Sequence, residues 1–112
     1  EWNSNNAVWL DNSGGEPADV GSRSNGASWV GAYDMSGNMW QWTITAYNDY
    51  PYSFAYDDAN NDAIYRSVRG GSYRLIEYGI RPAFRGYASP SDALPHVGFR
   101  CMLPDTTMST TQ

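Results

Sequence analysis

Few side chains here could do covalent or redox chemistry, and they stand apart in the sequence. Cys101 is the only thiol and His96 the only imidazole among 112 residues. Nucleophilic catalysis needs a nucleophile, a base and a group that orients the base. His96 lies between Pro95 and Val97 with no Ser or Cys tied to it by a motif, so it reads as an exposed connection. Cys101 reads as a small apolar packing residue. Alone it closes no intrachain disulfide, which leaves the redox compartment open. Asp57, Asp58 and Asp62 sit in Asp-Asp-Ala-Asn-Asn-Asp, which has the flavour of a calcium loop but lacks the central glycine and terminal glutamate.

Recognition chemistry is better represented. Tyr47, Tyr50, Tyr52, Phe54 and Tyr56 are interleaved with Asn48, Asp49 and Ser53. Rings offer contact area at low entropic cost and their polar neighbours offer adaptable hydrogen bonds, so Tyr47, Tyr50, Tyr52 and Tyr56 are candidate ligand-binding residues. Alternate rings packed inward to anchor a long loop would give the same pattern.

The elements that must position these groups are short. Residues 39–44 alternate, with Trp40, Trp42 and Ile44 on one side and Gln41 and Thr43 on the other, which is strand periodicity with one apolar face. Arg66 to Tyr73 has strand character broken at Gly70-Gly71, where a bulge or close backbone approach is expected. Arg81 to Tyr87 alternates Arg81, Ala83 and Arg85 against Pro82, Phe84 and Gly86, and Gly98 to Leu103 reads as a last strand. Residues 47–65 form a long loop. Asn12 to Gly15 and Asn25-Gly26 read as turns, the second of hairpin type. Trp2, Trp9 and Trp29 read as isolated anchors in a region without helical period, and any helix is short, near Leu75 to Gly79, or absent. Arg69, Arg81, Arg85 and Arg100 lie within or beside these strands and need carboxylate or carbonyl partners there, with Asp34 one possibility.

Three motifs occur in fixed order: Gly-Ala-Tyr-Asp-Met-Ser-Gly-Asn-Met-Trp-Gln-Trp-Thr over Gly31–Thr43, Arg-Ser-Val-Arg-Gly-Gly-Ser-Tyr over Arg66–Tyr73, and Val-Gly-Phe-Arg over Val97–Arg100. This order resembles the C-terminal part of the formylglycine-generating enzyme family, the sulfatase-modifying-factor domain. The resemblance runs from about Asp11 to Met102. It implies an α+β, strand- and loop-rich C-type-lectin-like fold with low helix content, as one domain over residues 1–105 followed by a polar tail, 106–112. It implies structural roles for Arg69, Arg81, Arg85, Arg100, Trp40 and Trp42. It also implies calcium, with ligands at the Asp34 side chain, the carbonyls of Gly37 and Met39, and the acidic position that is Gln41 here; the amide removes one formal charge from that set. The alternative is that Asp34, Asn38 and Gln41 serve local backbone groups. The family's paired catalytic cysteines, soft ligands for copper(I), would lie between Tyr73 and Arg81. That stretch holds none, so no copper is expected and the resemblance points away from an enzyme. The variable proteins of diversity-generating retroelements also end in Gly-Phe-Arg, but the Asn-rich variable stretch before Gly98 is missing.

Composition narrows the function classes. Net charge is −5, and all seven basic residues are Arg. An acidic chain without a basic run is a poor partner for a phosphate backbone, so no nucleic acid is expected. No apolar run reaches transmembrane length, and no segment reads as a signal peptide, Glu1 being as consistent with a cropped as with a mature start. An extracellular or cell-surface setting is favoured. Aromatic content of 15% argues against disorder except at the ends. The leading expectation is a non-catalytic binding or structural module displaying the Tyr-rich loop to a protein or glycan. The alternatives are a fragment of a formylglycine-generating or sulfoxide-synthase type oxidoreductase, and a subunit of a filament, surface coat or other larger assembly.

Overall fold

The computed structural model describes residues 3–50, 57 and 60–103. Four strands form one sheet in the order β3-β2-β1-β4, where β1 is Trp40–Ala46, β2 Arg66–Arg69, β3 Arg85–Ala88 and β4 Val97–Gly98. β2 runs antiparallel to both β1 and β3, and β4 joins β1 in parallel. Helical structure among the described residues is limited to 3-10 turns at Ser4–Asn6, Ser24–Gly26 and Glu77–Ile80. The strand- and loop-rich architecture with low helix content is therefore what forms.

The alternation in residues 39–44 becomes the two faces of the sheet. Register places Gly86, Val68 and Trp42 side by side, and Trp40 opposite Val97. Trp40, Val68 and Ala88 are the buried centre of this apolar face, with Trp42, Leu75, Phe84 and Val97 packed against it. Gly86 keeps this packing close: a Cβ would stand 3.2 Å from the Trp40 ring and 3.1 Å from Val68, so those side chains would have to give by a few tenths of an ångström. Ile44 departs from the pattern and is exposed. The cause is a bulge. Between the pairs Trp42↔Val68 and Ala46↔Arg66, β1 advances four residues and β2 only two.

Side chains replace the ladder bonds that the bulge removes. Thr43 Oγ1 donates to the Ser67 carbonyl at 2.8 Å and accepts from Thr45 N at 3.2 Å. The Ala46 N–H donates to Asp57 Oδ1 at 2.8 Å. Arg66, buried on the apolar side, donates Nη1 to the Ile44 carbonyl at 2.7 Å. Asp57 thus caps the end of β1; Asp58 lies outside the described residues and Asp62 is exposed.

Several local expectations differ from the structure. Asn25-Gly26 sits in a 3-10 turn, not a hairpin, and Gly26 is required because a Cβ there would collide with the Asn6 carbonyl. The last strand ends at Gly98, and Phe99, Met102 and Leu103 are exposed. Arg81 precedes β3 in a turn, exposed, with its guanidinium 4.6 Å above the Tyr78 ring. Trp29 is 97% exposed and anchors nothing, whereas Trp9 is half-buried with its indole N–H on the Ser4 carbonyl. Trp2 lies outside the described residues. Cys101 is exposed, not packed.

Arg66→Met keeps much of the buried volume but strands the Ile44 carbonyl inside the bulge. Urea unfolding should show a loss of about 2 kcal/mol; an unchanged midpoint would mean that the bulge does not depend on the guanidinium.

Candidate functional site

The opposite sheet face carries a row of long polar side chains. Arg85 pairs with Arg69, Arg69 with Gln41, and Gln41 with Gly98, so one residue from every strand lies in line. Paired residues point to the same side of a sheet, and this row connects the two sites that the sequence picks out.

At one end lies the turn from Gly31 to Thr43. Asp34, Gly37 and Asn38 all have left-handed backbone, with φ of 56°, 79° and 67°, a conformation that costs energy for a residue with a Cβ. Gly37 has the tightest reason: a Cβ would collide with the Val8 carbonyl, beside which Gly37 forms a parallel bridge. Asn38 is buried. Its amide accepts from Ala18 N at 2.9 Å and donates to the Ala18 carbonyl at 3.1 Å, while its own backbone bonds Val8 and Tyr73. The Asp34 carboxylate accepts from Gly21 N at 2.8 Å. Gln41 Nε2 donates to the Asp34 carbonyl at 2.9 Å, and Gln41 Oε1 accepts from Arg100 Nε. Arg100 Nη2 also donates to the carbonyls of Tyr33 at 2.7 Å and Asp34 at 3.0 Å. A cleft of about 480 Å³ opens here, lined by Val20, Tyr33, Asp34, Met39, Phe99 and Arg100 among others.

Asp34, Gly37, Met39 and Gln41 therefore do share one turn, but they do not fit a calcium ion. The two side-chain donors face N–H groups in different places, Asp34 toward Gly21 and Gln41 toward Arg100. A guanidinium already lies against the oxygens of Gln41, Asp34 and Tyr33. Calcium takes six to eight oxygens and favours anionic ones, whereas this set has one carboxylate and a resident positive charge.

At the other end of the row is an arginine–tyrosine surface. The guanidinium of Arg85 lies 4.7 Å from the Tyr47 ring centre and 4.4 Å from that of Tyr50, and its Nη1 donates to the Asn48 carbonyl at 2.9 Å. Arg69 donates Nη1 to the Ala83 carbonyl at 3.0 Å and Nη2 to Tyr50 Oη at 3.3 Å. Tyr87 packs against Tyr47 at 5.0 Å and Tyr65 at 5.4 Å. These rings remain open to solvent: Tyr50 is 66% exposed and Tyr87 59%. The loop that carries Tyr50 is closed at its base by Tyr47 N donating to the Tyr65 carbonyl at 2.9 Å. Tyr52 and Tyr56 lie outside the described residues. Sequence reading missed Tyr65 and Tyr87; the alternation of Tyr87 with Gly86 and Ala88 in a strand was the signal available for the second. It also passed over Arg66, the buried arginine.

His96 is half-buried rather than exposed, and its carbonyl accepts from Trp40 N at 2.9 Å where β1 and β4 begin. Its Nδ1 lies 3.3 Å from Arg74 Nη1. Burial, and then the Arg74 charge, hold its pKa below the ordinary 6.5. Among the described residues no group of three or more His, Cys, Asp or Glu converges as a metal site, and no helix is long and apolar enough to cross a membrane.

This is a strand-and-loop scaffold that displays turns from one small sheet. A family model described as the sulfatase-modifying factor enzyme 1-like domain matches residues 2–104, and the chain belongs to that family. It is 34% identical over 93 residues to a hercynine oxygenase of Mycolicibacterium smegmatis, an alignment covering 72% of this chain and 22% of that protein. It is 35% identical over 91 residues to a formylglycine-generating enzyme of Mycobacterium tuberculosis, covering 68% and 30%. Among solved structures it resembles Treponema denticola variable protein 1, with a TM-score of 0.70 and 28% identity over 85% of this chain and 34% of that one. The chain thus spans between a fifth and a third of the length of these curated relatives.

The lowered His96 pKa fixes the sign of a pH effect. The unfolded chain binds that proton more readily than the folded one, so the contribution is complete above about 6.5 and is lost as pH falls through that value toward the lower folded pKa. Melting temperature should decline from pH 7 to 5, and His96→Asn should flatten that decline. Equal slopes for the two proteins would show that His96 is not linked to folding.

Proposed function

We propose that this chain is a non-catalytic binding module on a formylglycine-generating-enzyme-like scaffold, and that its recognition surface is the cluster of Tyr47, Tyr50, Tyr65 and Tyr87 around Arg85. The observation that carries this reading is the contact of the Arg85 guanidinium with the faces of both Tyr47 and Tyr50. Exposed rings normally lose freedom on binding, which weakens affinity. Here a guanidinium, itself fixed on the Asn48 carbonyl, holds two of them in place beforehand. Tyrosine faces and hydroxyls beside arginine suit a glycan, by stacking and hydroxyl hydrogen bonds, or a protein surface. The TM-score of 0.70 to a variable protein supports a display role for the scaffold.

A second reading has its own support, in the relatives named hercynine oxygenase and formylglycine-generating enzyme. In it the chain is the C-terminal portion of an oxidoreductase whose metal-binding residues belong to a longer polypeptide. A native polypeptide that is much longer and carries paired cysteines or an iron-binding helical domain would favour this reading over the first.

Tyr50→Ala and Tyr87→Ala should each reduce binding on a glycan array, or to a cross-linked protein partner, by tenfold or more, while unfolding free energy changes by less than about 1 kcal/mol. Unaltered binding by both variants would remove this surface from consideration. A large loss of stability would instead assign the rings to the core.

A further inference from the structure

We infer that the guanidinium of Arg100 is the cation of the Gly31–Thr43 turn, in the place where the family resemblance puts calcium, and that the turn closes without a metal ion. The position needs a positive charge or a set of donors, because the carbonyls of Tyr33 and Asp34 and the side-chain oxygen of Gln41 are gathered there. Arg100 meets all three, with Nη2 on both carbonyls and Nε on Gln41 Oε1. A planar fork of N–H groups can serve several oxygens at once, whereas the point charge of a lysine cannot hold the same geometry.

The residue at position 41 fits this arrangement and not the ionic one. Its side chain must accept from Arg100 and donate to the Asp34 carbonyl at the same time. An amide has both an acceptor and a donor; an ionised carboxylate has acceptors only and would face the Asp34 carbonyl oxygen with no proton between them. Glutamine is thus the side chain that a guanidinium-closed turn calls for, and glutamate the one that an ion calls for. The remaining carboxylate, Asp34, is engaged by Gly21 N. Arg100 is held on the turn, and β4 stops two residues before it.

The test uses the whole chain and two probes, calcium for melting and terbium for luminescence, which Tyr33, Trp40 and Trp42 would sensitise from nearby. Wild type should melt at the same temperature in calcium and in chelator and should give no saturable terbium signal. Arg100→Gln should lower the melting temperature by about 5 °C, a shift of the size expected for roughly 1 kcal/mol in a domain this small. Arg100→Lys should not restore it. The double variant Gln41→Glu/Arg100→Ala removes the guanidinium and supplies a second carboxylate, so it should gain both a terbium signal and a calcium-dependent rise in melting temperature. A saturable terbium signal or a calcium-dependent melt in wild type overturns the inference, and that measurement holds whether or not any variant folds. So does an unchanged melting temperature in Arg100→Gln, or a folded double variant with no more terbium signal than wild type.

Discussion

Asn38 holds three separate stretches of this chain together, and the sheet stands on that junction. Its backbone N–H bonds the Val8 carbonyl, its carbonyl receives Tyr73 N, and its side chain forms a two-bond amide pair with Ala18. The neighbouring Gly37 N–H reaches the Gly70 carbonyl at 2.6 Å. A chain with short strands and few aliphatic side chains cannot order its loops by burial alone. Its buried main-chain groups must find partners across long sequence separations, since an unpaired one costs more than a formed bond returns. Asn38 meets that requirement at the cost of left-handed backbone, a conformation Asn tolerates better than most residues. The Asn12 and Ser13 side chains extend the same mode of folding, Asn12 onto the carbonyls of Ser4 and Ala7 and Ser13 onto that of Tyr73.

The arginines are the second support, and the contacts of four of them suit a guanidinium better than an ammonium. Arg66, Arg69, Arg85 and Arg100 all donate to main-chain carbonyls: those of Ile44, Ala83, Asn48, and the pair Tyr33 and Asp34. Arg69, Arg85 and Arg100 tie a strand, or the residues just after one, to an irregular segment, and Arg66 ties β2 to the bulge in β1. A guanidinium is weakly hydrated and planar, so it can be drawn against carbonyls and rings at a lower desolvation cost than an ammonium. The net negative charge sits elsewhere, on carboxylates that are largely exposed, such as Asp19, Asp49 and Glu77.

The strands were legible because alternation survives wherever one face is buried. Trp40 and Trp42 against Gln41, and Phe84 and Gly86 against Arg85, point as their period requires. Legibility ended where a side chain takes over from the ladder. Nothing in Thr43-Ile44-Thr45 announces that Thr43 will bond the Ser67 carbonyl and turn Ile44 outward. Arg81 reads like Arg85 by spacing, yet the turn before β3 leaves it exposed. The turn at Gly31–Thr43 was legible as a unit and its residues do gather, but local sequence does not encode the approach of Arg100 from 59 residues away. Such contacts belong to topology, which sets Gly98 of β4 opposite Gln41 of β1, so that Arg100, two residues on, meets the Gln41 amide as the chain leaves the sheet.

That topology also explains how one small sheet can carry two surfaces. The row Arg85, Arg69, Gln41 and Gly98 crosses all four strands, with the tyrosine cluster at the β3 end and the Arg100 turn at the β4 end. Both surfaces lie on the polar face, while Trp40, Val68 and Ala88 pack on the other. Exposed residues on the polar face, such as Tyr50 and Tyr87, can therefore differ between relatives without opening a cavity in the core, since their rings displace water rather than packed neighbours. The reverse does not hold. Gly86 leaves room for the Trp40 ring from within β3, between Arg85 and Tyr87, and a Cβ there would press on Trp40 and Val68 across the core.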